Sequence, residues 1–129
     1  MRYRLAGLVL LSSVLCAPSQ AQAPAPAPPA QSFDVPAGTP QSVAILTRDF
    51  APGQSAGRHI HHGVEMAIVI RGDFTLMVDG SPPRAVHVGD SWTVPRDLPH
   101  DIQNTGATPA TLAITYVIDK GTPLRVPVP

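Results

Sequence analysis

The stretch GRHIHHGVEMAIVIRG, residues 57–72, places three of the chain's five histidines and its only glutamate within nine positions, then runs on almost without charge. A strand that merely needs polar side chains is served by Ser, Thr or Lys; imidazoles and a carboxylate are cation ligands. The two-residue period of a strand sends His59 and His61 to one side and Ile60 and His62 to the other. If the chain turns at His62-Gly63-Val64, a turn that Gly63 makes easy, Glu65 returns to the same cavity. A fourth ligand has to come from elsewhere. His100 is the obvious candidate, because Pro95-Arg96-Asp97-Leu98-Pro99 forms a rigid turn that opens a strand at that residue.

The rest of the chain has the same character. From Gln41 onward short apolar runs are broken by Gly, Pro, Asp and Asn. Strands are expected at residues 42–49, 58–62, 65–71, 73–79, 84–88, 91–94, 101–103 and 110–119, with a hairpin turn at Asp79-Gly80. No segment carries an amphipathic helical period long enough to compete. About eight short strands with Gly and Pro turns point to an all-β barrel or sandwich. In residues 65–71 the faces Glu65, Ala67, Val69 and Met66, Ile68, Ile70 are both largely apolar, so cover is expected on both sides. One cover is the barrel interior and the other is a second subunit, which makes a homodimer the expected assembly.

The front of the chain reads differently. A basic start with Arg2 and Arg4, a thirteen-residue apolar run from Leu5 to Ala17 and small residues after it have the layout of a secretory signal peptide. Ser19 and Ala21 suit cleavage after Ala21, giving a signal peptide over residues 1–21. The apolar run is shorter than the roughly 20 residues that span a bilayer, so no membrane anchor is expected after cleavage. Cleavage removes Cys16, the only cysteine, and with it any disulfide or thiolate chemistry. The remaining seven Arg plus Lys against nine Asp plus Glu leave a net charge of −2, and no basic patch for nucleic acid. Residues 22–40 are an Ala/Pro-rich extended linker, residues 41–120 the folded domain and residues 121–129 a Pro-rich tail. A secreted or periplasmic location follows from this layout.

Two spaced motifs now carry a resemblance. Gly53, five residues, His59-Ile60-His61, three residues, Glu65, six residues and Gly72 match the first motif of the cupin superfamily at every spacing. Gly89, five residues, Pro95, His100 and Asn104 match the second, except that Asp97 stands where the family usually has glycine. Asp tolerates the left-handed conformation better than most residues. The sixteen residues between Gly72 and Gly89 suit a compact single-domain member. The resemblance covers residues 41–120 and implies a double-stranded β-helix, or jelly-roll, barrel. It also implies one divalent transition metal held inside by His59, His61, Glu65 and His100. Iron, manganese, zinc, copper and nickel are not distinguished by such a donor set.

Four protein ligands leave about two of six octahedral positions open, which suits chemistry rather than structural closure. The expected function is a metalloenzyme acting on a small organic substrate, most plainly dioxygenase-like. The alternatives are a metal-dependent lyase or isomerase, and a non-catalytic binder of a small ligand or of the metal. His62 is expected at the surface or an interface, and His87 as an ordinary strand residue. Asn104 is expected to serve a strand end, Trp92 and Phe74 the core, and Tyr116 the core with a hydroxyl able to reach a ligand. No second carboxylate, lysine or arginine is expected to share the cavity, which weighs against proton-shuttling reactions.

Overall fold

The strands form where apolar and small polar residues alternate, and most stop at or near a Gly, Pro or Asp that breaks that period. In the computed structural model, residue 38 and residues 40–129 are described. The signal peptide and nearly all of the Ala/Pro linker expected from the sequence lie outside them. The elements are β1 (Gln41–Phe50), β2 (His59–Ile60), β3 (Gly63–Arg71), β4 (Phe74–Val78), β5 (Arg84–Val86), β6 (Ser91–Val94), β7 (His100–Asn104), β8 (Ala110–Asp119) and β9 (Val126–Pro127). All pairings are antiparallel. One sheet has the order β1-β8-β3-β6 and the other β5-β4-β7-β2-β9, the two-sheet jelly-roll expected from the sequence. Among the described residues no helix is long and apolar enough to cross a membrane.

Inward positions alternate along every long strand. On β8 these are Ala110, Leu112, Ile114, Tyr116 and Ile118, and on β3 Glu65, Ala67 and Val69. Phe50 and Phe74 meet edge to face with ring centroids 5.3 Å apart. With Leu112, Val69 and Val86 they fill the apolar core. Phe74 is in register with Asn104, and Val78 at the other end of β4 is in register with His100. The apolar plug and the histidine cluster therefore sit at opposite ends of one barrel. Trp92 and Phe74 are core residues, as expected. Asn104 is fully buried; its Nδ2 donates to the carbonyls of Phe50 and Thr108 and its Oδ1 accepts from the Gly106 N–H. It serves the strand end.

Three local expectations are refined. The expected strand 58–62 shrinks to two residues because the chain turns a corner at His61-His62, whose carbonyls accept from the N–H groups of Asp97 and Asp119. Gly63 is not needed there for a left-handed φ. An added Cβ would lie 2.1 Å from the Val117 carbonyl oxygen, so the residue is required by the close passage of β8. The Pro-rich segment after β8 contains a strand that the sequence does not announce: β9 pairs with β2, His59 opposite Pro127 and Ile60 opposite Val126.

The outer face of β3 carries Met66, Ile68 and Ile70, apolar as expected for that strand. Ile45, Met66, Ile68, Ala113 and Thr115 line a shallow groove on the outer face of the β1-β8-β3-β6 sheet, and Ile45 is 77% exposed.

Candidate metal centre

β2 contributes His59, the corner after it His61, β3 Glu65 and β7 His100. His59 and His100 are register partners, and Glu65 on β3 is in register with Tyr116 on β8. Both sheets thus aim side chains at one point. The four ligand atoms lie within 4.8 Å of one another, and none of the four residues is more than 5% exposed. The expected site residues are brought together. His62 and His87 are not among them: His62 Nδ1 lies 2.7 Å from Asp97 Oδ1, and His87 Nδ1 lies 2.8 Å from Asp73 Oδ1, both towards solvent.

Backbone carbonyls decide how the rings face. His59 Nδ1 donates to the Gly57 carbonyl at 2.6 Å, His100 Nδ1 to the Leu98 carbonyl at 2.9 Å, and His61 Nδ1 to the Leu124 carbonyl. A carbonyl only accepts, so each Nδ1 carries hydrogen, and in the neutral ring each Nε2 presents a lone pair inward. His61 Nε2 stands 3.0 Å from Glu65 Oε2 and His100 Nε2 stands 3.6 Å from the same oxygen. His100 Nε2 is buried with no hydrogen-bond partner among the described residues. A buried ring of acceptors around a carboxylate needs a cation at its centre. Imidazole nitrogen and carboxylate oxygen bond first-row ions at about 2.0–2.2 Å, and atoms opposite one another across such an ion are then about 4.2 Å apart. Three imidazole nitrogens and one carboxylate oxygen, buried and all within 4.8 Å of one another, are a donor set that fits a divalent transition metal.

Without the metal, protons hold the balance. Burial would push Glu65 up, but the neighbouring His100 and His61 imidazoles outweigh it and hold the carboxyl down at about 2. Burial also works against charge on His100, yet the Glu65 carboxylate raises its pKa above the ordinary histidine value. His59 lacks such a partner; burial, only partly offset by the Gly57 carbonyl, lowers it to about 4. Burial, the Glu65 charge and a hydrogen bond to Glu65 push the Tyr116 phenol up, so it stays a donor at neutral pH. Its ring centroid lies 4.8 Å from that of His61. Tyr116 is buried in the cavity wall, in register with Glu65.

Two groups at the site escape the sequence reading. Arg125 was not expected near the cavity, yet the segment after β8 brings its guanidinium onto the Ala56 and Gly57 carbonyls, close enough for its charge to depress His59. The Leu124 carbonyl that holds His61 is a main-chain group, and no side-chain pattern marks it. Asp97 does what its substitution for glycine requires, with φ of 56°. Its backbone N–H, which any residue but proline supplies there, donates to the His61 carbonyl.

The chain is 33% identical over 82 residues to germin-like protein 3-3 of Oryza sativa subsp. japonica, covering 57% of this chain and 36% of that protein. It is 32% identical over 82 residues to oxalate oxidase GF-2.8 of Triticum aestivum, covering 57% of this chain and 37% of that protein. The chain therefore spans little more than a third of the length of these curated relatives. Among solved structures, an oxalate oxidase in complex with the substrate analogue glycolate is 27% identical, with a TM-score of 0.58 over 67% of this chain and 52% of that one. A DMSP lyase from Ruegeria pomeroyi DSS-3 is 24% identical, with a TM-score of 0.60 over 67% of this chain and 43% of that one, a likeness of fold alone. The model of the cupin domain matches residues 46–119, which contain both spaced motifs and all four clustered side chains, and the chain belongs to the cupin family.

Proposed function

We propose that this chain is an exported metalloenzyme that binds one divalent transition metal through His59, His61, Glu65 and His100 and oxidises or cleaves a small organic substrate with dioxygen. The observation that carries this reading is the ring of three Nε2 acceptors around an ionised carboxylate, each Nδ1 already bonded to a carbonyl. Three neutral imidazoles and one carboxylate leave a divalent ion with a net charge of about +1 and roughly two of six positions for ligands. The metal would supply Lewis-acid polarisation of substrate oxygen atoms and, with a redox-active ion, electron exchange with dioxygen.

The chain's own residues supply the rest. Val94, Trp92, Ala67 and Ile114 give the interior beneath the ligands an apolar lining that excludes water. Tyr116 holds a hydrogen beside Glu65. The oxalate oxidases among its relatives, one solved with glycolate, make small hydroxy acids and dicarboxylates the first substrates to try, followed by enediols, catechols and flavonols. The Tyr116 phenol, held protonated, favours a second reading, a metal-assisted lyase or isomerase, because it can donate a hydrogen bond to a substrate oxygen where charge develops, which needs no dioxygen.

Oxygen uptake by metal-loaded protein over that panel, compared with His61→Ala, is the test. Metal-dependent uptake lost in the variant supports the oxidase reading. Substrate turnover under nitrogen selects the lyase or isomerase. A ligand that raises the melting temperature without being consumed makes the chain a binder. Protein that binds no first-row metal at neutral pH removes all of these except a metal-free binder.

A further inference from the structure

The four clustered side chains lie within the residues matched by the cupin model, but the carbonyl that holds one of their rings, and the guanidinium that holds the carbonyl of a second, come from outside it, after Asp119. Leu124 gives its carbonyl to His61 Nδ1. The next residue, Arg125, donates through Nη2 to the Ala56 carbonyl at 2.6 Å and the Gly57 carbonyl at 3.2 Å. The Gly57 carbonyl is the acceptor that orients His59 Nδ1. β9 then pairs with β2, and the Val128 N–H donates to the Arg58 carbonyl at 3.2 Å. Five consecutive residues, 124–128, are therefore bonded to the strand that bears His59, to its flanking loop, and to His61.

We propose that residues 124–128 form a clasp that positions the His59-x-His61 pair for metal binding, with Arg125 its side-chain anchor and the Leu124 carbonyl its contact with His61. β2 is only two residues long and its other neighbour, β7, pairs with it at His59 alone. So short a strand has little order of its own, and the clasp provides its second edge. Groups that fix the distal nitrogen of a ligating imidazole typically change metal affinity by about 10–100-fold. Releasing Arg125 removes the side-chain anchor next to Leu124 and leaves the segment held only by main-chain pairing at residues 126–128, so a substitution that touches no ligand loosens both rings.

This inference rests on the metal reading of the site, and its test separates the two. Cobalt(II) affinity is measured by chelator competition for the wild type, Arg125→Ala, Arg125→Lys and a chain ending at Lys120. Circular dichroism and melting temperature of the metal-free forms are recorded alongside. The expected result is a loss of about tenfold or more for Arg125→Ala and for the shortened chain, an altered cobalt absorption spectrum, and partial recovery in Arg125→Lys. Wild-type affinity and spectrum in a folded Arg125→Ala, with only a lower melting temperature, overturn the clasp and leave it a structural edge strand. A wild type that binds no cobalt defeats the metal reading instead. If the variants do not fold, the metal-free wild type still decides by two-bond ¹H–¹⁵N histidine spectra. A slowly exchanging Nδ1–H on His61 supports the clasp, and an Nε2–H tautomer there overturns it.

Discussion

His59 and His100 face each other as register partners across β2 and β7, their ring centroids 4.4 Å apart. One ladder position thus joins the two sequence motifs. Removing either ring breaks the donor set from one sheet while Glu65 still arrives from the other. His100→Ala and His61→Ala are each expected to lower the purified metal content from about one equivalent to near none, while the β-sheet circular dichroism persists. Elemental analysis of protein recovered from its own compartment checks this. Full metal content in His100→Ala would show that the cluster is not the binding site.

The metal-free protein has opposed titrations in one cluster. His59 sits near 4 when folded and near 6.5 when unfolded, so between those values the unfolded chain binds more protons. Its contribution is complete above about pH 6.5 and is lost as the pH falls towards 4. His100 has the opposite sign: its pKa is raised by Glu65, so its contribution is present below its unfolded value and is lost as the pH rises through its folded one. Histidine NMR titration of chelator-stripped protein is expected to give one imidazole near 4 and another above 6.5. A His59 titrating at its ordinary value would refute this assignment.

Gly63 has a Cβ position 2.1 Å from the Val117 carbonyl oxygen and 2.5 Å from the Ile118 Cα, both main-chain atoms that side-chain motion does not relieve. Gly63→Ala is expected to cost about 3 kcal/mol or more in denaturant unfolding, because β3 and β8 must separate at the corner that delivers Glu65. Metal affinity should fall with it. A variant within about 0.5 kcal/mol of the parent, the usual range for neutral surface changes, would contradict this packing.

The outer face of the β1-β8-β3-β6 sheet carries Val43, Ile45, Ile68 and Ile70, all exposed, and its groove residues are uncharged. Such a face meets its own copy without like-charge repulsion, so a second copy of the chain is the expected cover. Light scattering at micromolar concentration should give twice the chain mass, and Ile45→Lys with Ile68→Lys should return it to one. A monomeric parent removes the dimer.

The all-β class, the order of most strands and the four clustered residues were legible in the sequence because each is written in side chains. Period-two alternation selects the inward face, and two spaced motifs mark where His59, His61, Glu65 and His100 fall. Asp97 at a left-handed position was legible for the same reason, since few side chains tolerate that φ. What only the tertiary structure decided is carried by main-chain atoms and by contacts between distant segments. These are the Leu124 and Gly57 carbonyls that choose the histidine tautomers, the passage of β8 that requires Gly63, and the return of Arg125 and β9 to β2. Every residue carries the same carbonyl, so no residue type announces which one will end beside an imidazole; only the folded path of the chain selects it.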